Sequence, residues 1–149
     1  MKQDEFRKWL VAQGQTDATA SSRVSSAKRV EQHLGDLDEL FAQEDRDSIL
    51  DRFAYSAEDE RAERPNPSPV PIDGVLRTGL ASLQQVLKLY HYVMREQRSQ
   101  RYAAEHGMTR EAYEIFRQDL NYSCTIFTGQ PIPMEACVRG VAARHGVPL

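Results

Sequence analysis

The 149-residue sequence is poor in cysteine, has one tryptophan and contains no long apolar run. Cys124 and Cys137 form no Cys-x-x-Cys or Cys/His cluster, which favours a reduced, buried pair over a disulfide or a metal site. No apolar segment approaches the roughly 20 residues of a transmembrane helix. Residues 1–10 also lack the apolar centre of a secretory signal. We therefore expect a cytoplasmic protein without membrane contact, metal or cofactor.

The alternation of apolar and polar residues that is typical of strands is also missing, so the sequence predicts an all-α protein. A first helix is expected over 4–12, where Phe6, Trp9 and Leu10 share an apolar face and Trp9 is the core anchor. Short helical segments with inward apolar side chains are expected between residues 37 and 53, and Asp45 caps one of them.

The longest helix is expected from Leu76 to about Arg98 or beyond. Its apolar stripe consists of Leu76, Leu80, Leu83, Leu87, Tyr90 and Met94, and is widened by Val75, Val86, Leu89 and Val93. The width favours a core helix, although the heptad-like spacing over 76–94 also allows a homodimer. We predict a compact helical bundle around this long central helix, with two C-terminal helices. Residues 1–98 would form one helical domain, and 99–149 an extension packed on the same core or a separate arm.

Charge is unevenly distributed along the chain, whose net charge is −3. Residues 36–64 contain eleven acidic and four basic residues, which suits a partner surface or a nucleic-acid mimic but also an ordinary solvated face. The segment 57–71 is charged and then rich in proline, and it predicts an exposed connection or mobile loop. Four prolines within 65–71 exclude a helix there.

The second predicted helix has the most unusual surface. Thr16 or Asp17 is its N-cap and Gly35 ends it. The inner stripe is Ala20, Val24, Ala27, Val30 and Leu34. The opposite face holds Ser22, Ser25, Arg29 and Gln32, flanked by Ser21, Ser26, Lys28 and His33. That face has no carboxylate, whereas solvated helix faces usually mix acids and bases. Glu31 falls in the apolar sector, where we expect it to pair with an arginine or to accept from the Trp9 indole.

Four short motifs carry a family resemblance: Phe6-x-x-Trp9-Leu10, Thr19-Ala20-Ser21-Ser22, Ala27-Lys28-Arg29-Val30-Glu31 and Gly35-Asp36-Leu37-Asp38. Over residues 4–97 the chain resembles the N-terminal core-binding domain of tyrosine recombinases and phage integrases. It is similar also to helical domains of restriction-type and HNH-associated proteins. The resemblance implies a SAM-like (sterile-alpha-motif-like) fold that grips the DNA backbone.

The same resemblance assigns the DNA side to the outward face of the second helix. It implies phosphate contacts by Thr19, Ser22, Ser25, Lys28 and Arg29, and Gln32 lies on the same face. Such contacts position a protein on DNA without reading sequence. The catalytic parts of recombinases (an Arg, a His-x-x-Arg pair and a tyrosine nucleophile in a second domain) are not found in this sequence.

A second nucleic-acid surface is conceivable near the C-terminal end of the long helix. Residues 103–116 have the spacing of a helix-turn-helix around Gly107. The cationic and hydroxyl residues available there are Arg101, Thr109, Arg110 and Arg117. Two glutamates on the would-be recognition helix oppose phosphate approach, and a long helix that simply ends at a glycine is the simpler interpretation.

The spacings Arg101-x4-His106 and Arg139-x5-His145 match the short Arg/His signature of helical HEPN ribonucleases, in which His is an acid or base. Such spacings often arise by chance, so we expect no catalytic residue. The favoured hypothesis is a non-enzymatic, DNA-associated accessory or regulatory protein of a mobile-element, phage or defence system. The alternatives are a protein-interaction module, such as an inhibitor or adaptor that uses 36–64 or the C-terminal helices, and a HEPN-like ribonuclease.

Overall fold

The computed structural model describes residues 1–105 apart from the side chains of Arg98, Ser99 and Tyr102, together with Gly107, Thr109 and Ala143. The described part is helical and has no strand, which confirms the all-α prediction. Its helices are α1 (Gln3–Ala12), α2 (Asp17–Leu34), α3 (Leu37–Gln43), α4 (Arg46–Asp51), α5 (Ala57–Arg61) and α6 (Leu76–Glu105). The chain divides into two compact units, residues 1–93 and 94–149. The two predicted C-terminal helices lie outside the described residues.

The core of the first unit is anchored on α1 by Phe6 and Leu10, both fully buried. The ring of Phe6 meets that of Tyr90 edge-on, with 5.1 Å between centroids. The prediction of Trp9 as the core anchor was wrong, because this side chain is only half-buried. Its ring lies 5.7 Å from that of Tyr92, at the margin of the face that Phe6 and Leu10 define one turn apart.

Helix α2 begins and ends where its local sequence predicts. The Thr16 hydroxyl accepts from the Thr19 backbone N–H at 3.2 Å, which satisfies one of the free donors at the helix start. Gly35 follows the helix with φ +87°, a backbone conformation that residues other than glycine rarely adopt. Four of the five inner-stripe residues are buried, namely Ala20, Val24, Ala27 and Val30. Leu34 is only half-buried.

The three helices that follow are too short to persist alone, since they span seven, six and five residues. Each starts with a side-chain cap. Asp36 accepts from the backbone of α3, and Asp45 accepts from Ser48 N at 2.9 Å in α4. Ser56 and Asp59 form a reciprocal capping box at α5. The Asp45 cap confirms the sequence prediction.

The segment 57–71 contains a short helix that was not predicted. Its first residues form α5, and the proline-rich remainder, which we call the strap (65–71), is held by side-chain bonds. Asn66 Nδ2 donates to the Val70 carbonyl at 2.8 Å, and Asn66 Oδ1 accepts from Ser68 N at 2.9 Å. Val70 is fully buried, whereas the four prolines are exposed. The exposed prolines fit the predicted exposed connection, and the burial of Val70 attaches the strap to the core. The strap itself is non-helical, as its prolines require.

Helix α6 supplies the other wall of this core. Leu80, Leu83, Leu87 and Tyr90 are at most 1% exposed, and Leu76 and Met94 are half-buried. The inclusion of Val75 in the stripe was wrong, since it precedes the helix and is 60% exposed. The centre of the 76–94 stripe is thus already buried by the chain's own side chains. None of the helices among the described residues is long and apolar enough to cross a membrane.

Candidate functional site

The outer face of α2 is the surface that the sequence singles out, and most of it is open to solvent. Its exposed members are Thr19, Ser22, Ser25, Lys28 and Gln32. We call these five residues, with Arg29, the α2 outer face. The Thr19 hydroxyl is bonded to that of Thr16 at 2.9 Å, so it is already engaged at the helix start. Hydroxyls, an amide and an ammonium at these positions can all donate to anionic oxygen.

Arg29 departs from the expected geometry. Its side chain is half-buried instead of fully outward, and its Nε–H is buried without a hydrogen-bond acceptor among the described residues. A long arginine stem commonly lies along the protein while its charged end stays in water. A guanidinium N–H that is buried without an acceptor is unfavourable, so any contact of Arg29 with an outside anion would have to be made by its terminal nitrogens.

The acids and the cations of α2 differ in their pairing, which the sequence did not reveal. Both of its acids are paired: Asp17 Oδ1 lies 2.8 Å from Arg7 Nη2, and Glu31 Oε1 lies 2.6 Å from the Met1 α-amino nitrogen, which it shares with Asp36 and Asp38. The cations of the helix, Arg23, Lys28 and Arg29, are engaged in no ion pair with any residue that the structure describes. Helix α2 therefore presents surplus positive charge.

The expectation for Glu31 was wrong about its partner. It binds the Met1 ammonium and also accepts from Leu37 N at 3.2 Å, so it joins α2 to the start of α3. Asp36 Oδ2 holds the same ammonium at 2.6 Å. Tyr90 links this cluster to α6, since its hydroxyl donates to Asp38 and accepts from the backbone N–H of residue 2. No residue pattern signals this cluster, because its central cation is the α-amino group of Met1 and not a side chain.

Three groups in this cluster titrate abnormally. Burial lowers the pKa of the Met1 α-amino group, but hydrogen bonds to Asp36 and Glu31 and nearby negative charge outweigh it and raise the pKa from 8.0 to about 10. The hydrogen bond from that ammonium lowers the pKa of Asp36. Burial, with the hydrogen bond to Asp38, raises the pKa of Tyr90. The cluster is therefore arranged to hold a protonated amine between carboxylates.

Most of the acidic segment 36–64 is used internally. Seven of its eleven carboxylates act as caps or in ion pairs and hydrogen bonds, namely Asp36, Asp38, Glu44, Asp45, Asp47, Asp59 and Glu60. Four are exposed and make no bond to a described residue: Glu39, Asp51, Glu58 and Glu63. The acidic residues of this segment therefore act largely as helix caps and as partners in ion pairs and hydrogen bonds, which leaves a smaller acidic surface than the sequence suggests.

The second candidate surface is described only in part. Arg101 and Thr109 are exposed, whereas Arg110 and Arg117 lie outside the described residues. His106, Arg139 and His145 of the two Arg/His spacings also lie outside them, as do both cysteines.

Metal ligands are not gathered in the part of the chain that the structure describes: it contains no group of three or more His, Cys, Asp or Glu side chains that could hold a metal ion. Comparison with family models, curated proteins and solved structures gave no match. The functional assignment therefore depends on the chemistry of α2.

Proposed function

We propose that this chain is a non-enzymatic DNA-associated protein that binds the phosphate backbone through the α2 outer face. One observation carries the proposal: both acids of α2 lie in ion pairs, while Arg23, Lys28 and Arg29 are not engaged by any described residue. A helix whose anions are paired and whose cations are free attracts a polyanion even when the net charge of the chain is negative. An accessory or regulatory role in a mobile-element, phage or defence system fits this activity.

The chemistry of the face suits phosphate better than base edges. Lys28 would neutralise charge, and the hydroxyls of Ser22 and Ser25 would donate to phosphate oxygens. Short hydroxyl side chains do not project far from a helix. The face is therefore expected to position the protein on DNA with little sequence preference.

The test is a salt titration of binding to a labelled duplex, followed by fluorescence anisotropy. The logarithm of the binding constant should fall linearly with the logarithm of salt concentration, with a slope of about −0.9 for each neutralised phosphate. Lys28→Ala should make this slope shallower by about 0.9, which corresponds to the loss of one phosphate contact, and the change should be the same for duplexes of unrelated sequence. Arg61→Ala is the matched control, because Arg61 is an exposed cation within the acidic segment.

Two results would refute the proposal. One is the absence of binding to duplex or single-stranded DNA at low salt. The other is equal loss of affinity in Lys28→Ala and Arg61→Ala, which would mean that net charge and not the α2 outer face governs binding.

The alternative is a protein-interaction module that uses the acidic segment. The four exposed, unbonded carboxylates Glu39, Asp51, Glu58 and Glu63 favour it. A partner of this kind would present lysine or arginine. Replacing all four acids by glutamine or asparagine would abolish its binding and leave DNA binding intact or strengthened.

A further inference from the structure

We infer that Arg7 of α1 is a further phosphate-binding residue, and that Asp17 masks it until a DNA phosphate takes the place of the carboxylate. The inference rests on the proposed function, because it extends the α2 outer face by one cation and one gating acid. It concerns a residue outside the motifs of α2, and it arises from the contacts between α1 and α2.

Arg7 makes two contacts with α2, a close ion pair and a longer hydrogen bond. Its Nη2 lies 2.8 Å from Asp17 Oδ1, and its Nε donates to Ser21 Oγ at 3.4 Å. Ser21 and Lys28 are seven residues apart, so they lie on the same edge of the helix, about 10 Å apart at roughly 1.5 Å per residue. Arg7 and Lys28 therefore stand on one edge of α2, two turns apart, and could reach different phosphates.

The Arg7–Asp17 pair is easy to open. Its side chains are 46% and 77% exposed. Ion pairs that are this exposed to water favour the paired over the open state by a factor of about five at most. A phosphate oxygen competes well for a guanidinium, because the two can form charge-assisted, often bidentate bonds. The bond to Ser21 needs only the Nε–H, so the two terminal nitrogens can change partner while Arg7 stays beside α2.

The displaced carboxylate is not left without stabilisation. Asp17 is the first residue of α2, where the positive end of the helix dipole favours a negative charge. Opening the pair therefore removes one favourable contact of Asp17 and keeps another. Wild-type binding would include the cost of this exchange, and a variant without the acid would avoid it.

The experiment is a double-mutant cycle on duplex DNA with Asp17→Asn, Arg7→Ala and the double variant. Asp17→Asn should tighten binding by about two- to fivefold and steepen the salt slope by up to about 0.9. This gain should disappear in the Arg7→Ala background, because there is no cation left to unmask. Lys8→Ala is the matched background: Lys8 is the exposed neighbour of Arg7 without an ion pair to a described residue, so the full gain should persist there.

The outcomes separate the inference from the proposed function. Unchanged affinity in Asp17→Asn, or an equal gain in the Arg7→Ala and Lys8→Ala backgrounds, would overturn the role of Arg7 while Lys28→Ala still weakened binding. If neither the wild-type chain nor Asp17→Asn bound DNA at low salt, the proposed function itself would fall. Thermal unfolding followed by circular dichroism establishes that each variant is folded before its affinity is compared.

Discussion

Replacing Gly79 by alanine tests how the segment after the strap is locked onto α6. A Cβ at this position would overlap the Cγ2 methyl of Ile72, and would lie 3.4 Å from its Cδ1 and 3.5 Å from its Cβ. Cγ2 is attached directly to the branched Cβ, so it cannot move away unless the whole side chain turns or shifts. Two opposing effects therefore decide the stability of Gly79→Ala.

The first effect favours alanine, because glycine within a helix costs about 1 kcal/mol relative to alanine. The second opposes it, since overpacking of this kind costs about 1–3 kcal/mol. Ile72 is half-buried and can yield toward solvent, which places the cost in the middle of that range. We expect Gly79→Ala to lower the free energy of unfolding by about 1 kcal/mol.

The same substitution should change sign when Ile72 is first replaced by alanine. Only the contact with the Ile72 Cβ at 3.5 Å then remains, and that is an ordinary van der Waals distance. In the Ile72→Ala background, Gly79→Ala should therefore stabilise the protein by about 1 kcal/mol. Ala81→Gly, at an exposed position of the same helix, calibrates the propensity alone.

The assay is urea unfolding followed by circular dichroism, with equal m-values required across the four variants. A stabilising Gly79→Ala in the wild-type chain would refute the close packing of Ile72 on α6. Equal destabilisation with and without Ile72 would show that some other group opposes the added methyl.

Three further predictions concern charge and caps. The Met1 α-amino group has a pKa of about 10 when folded and 8.0 when free, so its stabilisation is complete below pH 8 and is lost as pH rises through 10. Since Asp36 is 44% exposed, we expect the free energy of unfolding to fall by about 1 kcal/mol over this pH range. The fall should be smaller in Asp36→Asn. Asp45→Ala should cost about 1 kcal/mol in urea unfolding by uncapping α4, and an unchanged midpoint would contradict this. Ser25→Glu should weaken DNA binding without altering thermal stability. Gln43→Glu on α3, which adds the same charge elsewhere, should leave DNA binding unchanged. Equal loss of affinity in the two variants would argue against the α2 outer face.

Local features of the fold could be predicted from sequence because their causes are local. Thr16, Gly35 and Asp45 cap or end helices through bonds to residues no more than four positions away. Gly35 and Asp45 were assigned correctly, and Thr16 was one of two N-cap candidates beside Asp17. The short helix α5 was missed although Ser56 and Asp59 form a capping box there, because the proline-rich composition of the following residues dominated the interpretation.

Features that depend on distant partners could not be predicted. Val70 looks like one apolar residue in a loop, and only tertiary packing buries it. Glu31 bonds to a nitrogen thirty positions away. The outward direction of Ser22, Ser25 and Lys28 followed from helical periodicity, but the partial burial of Arg29 did not. The pairing of both α2 acids, on which the proposed function depends, likewise involves partners that lie outside the helix.

The prolines of the strap also bear on whether another chain could add to this segment as a β-strand. An extended segment at a protein surface offers backbone N–H and C=O groups to which another chain can add as a strand. In the strap, residues 65, 67, 69 and 71 have no N–H to offer, and all four are exposed. The alternate residue Val70 is turned inward and buried. The strap thus lacks a continuous row of donors, so it is a poor template for β-pairing and aggregation.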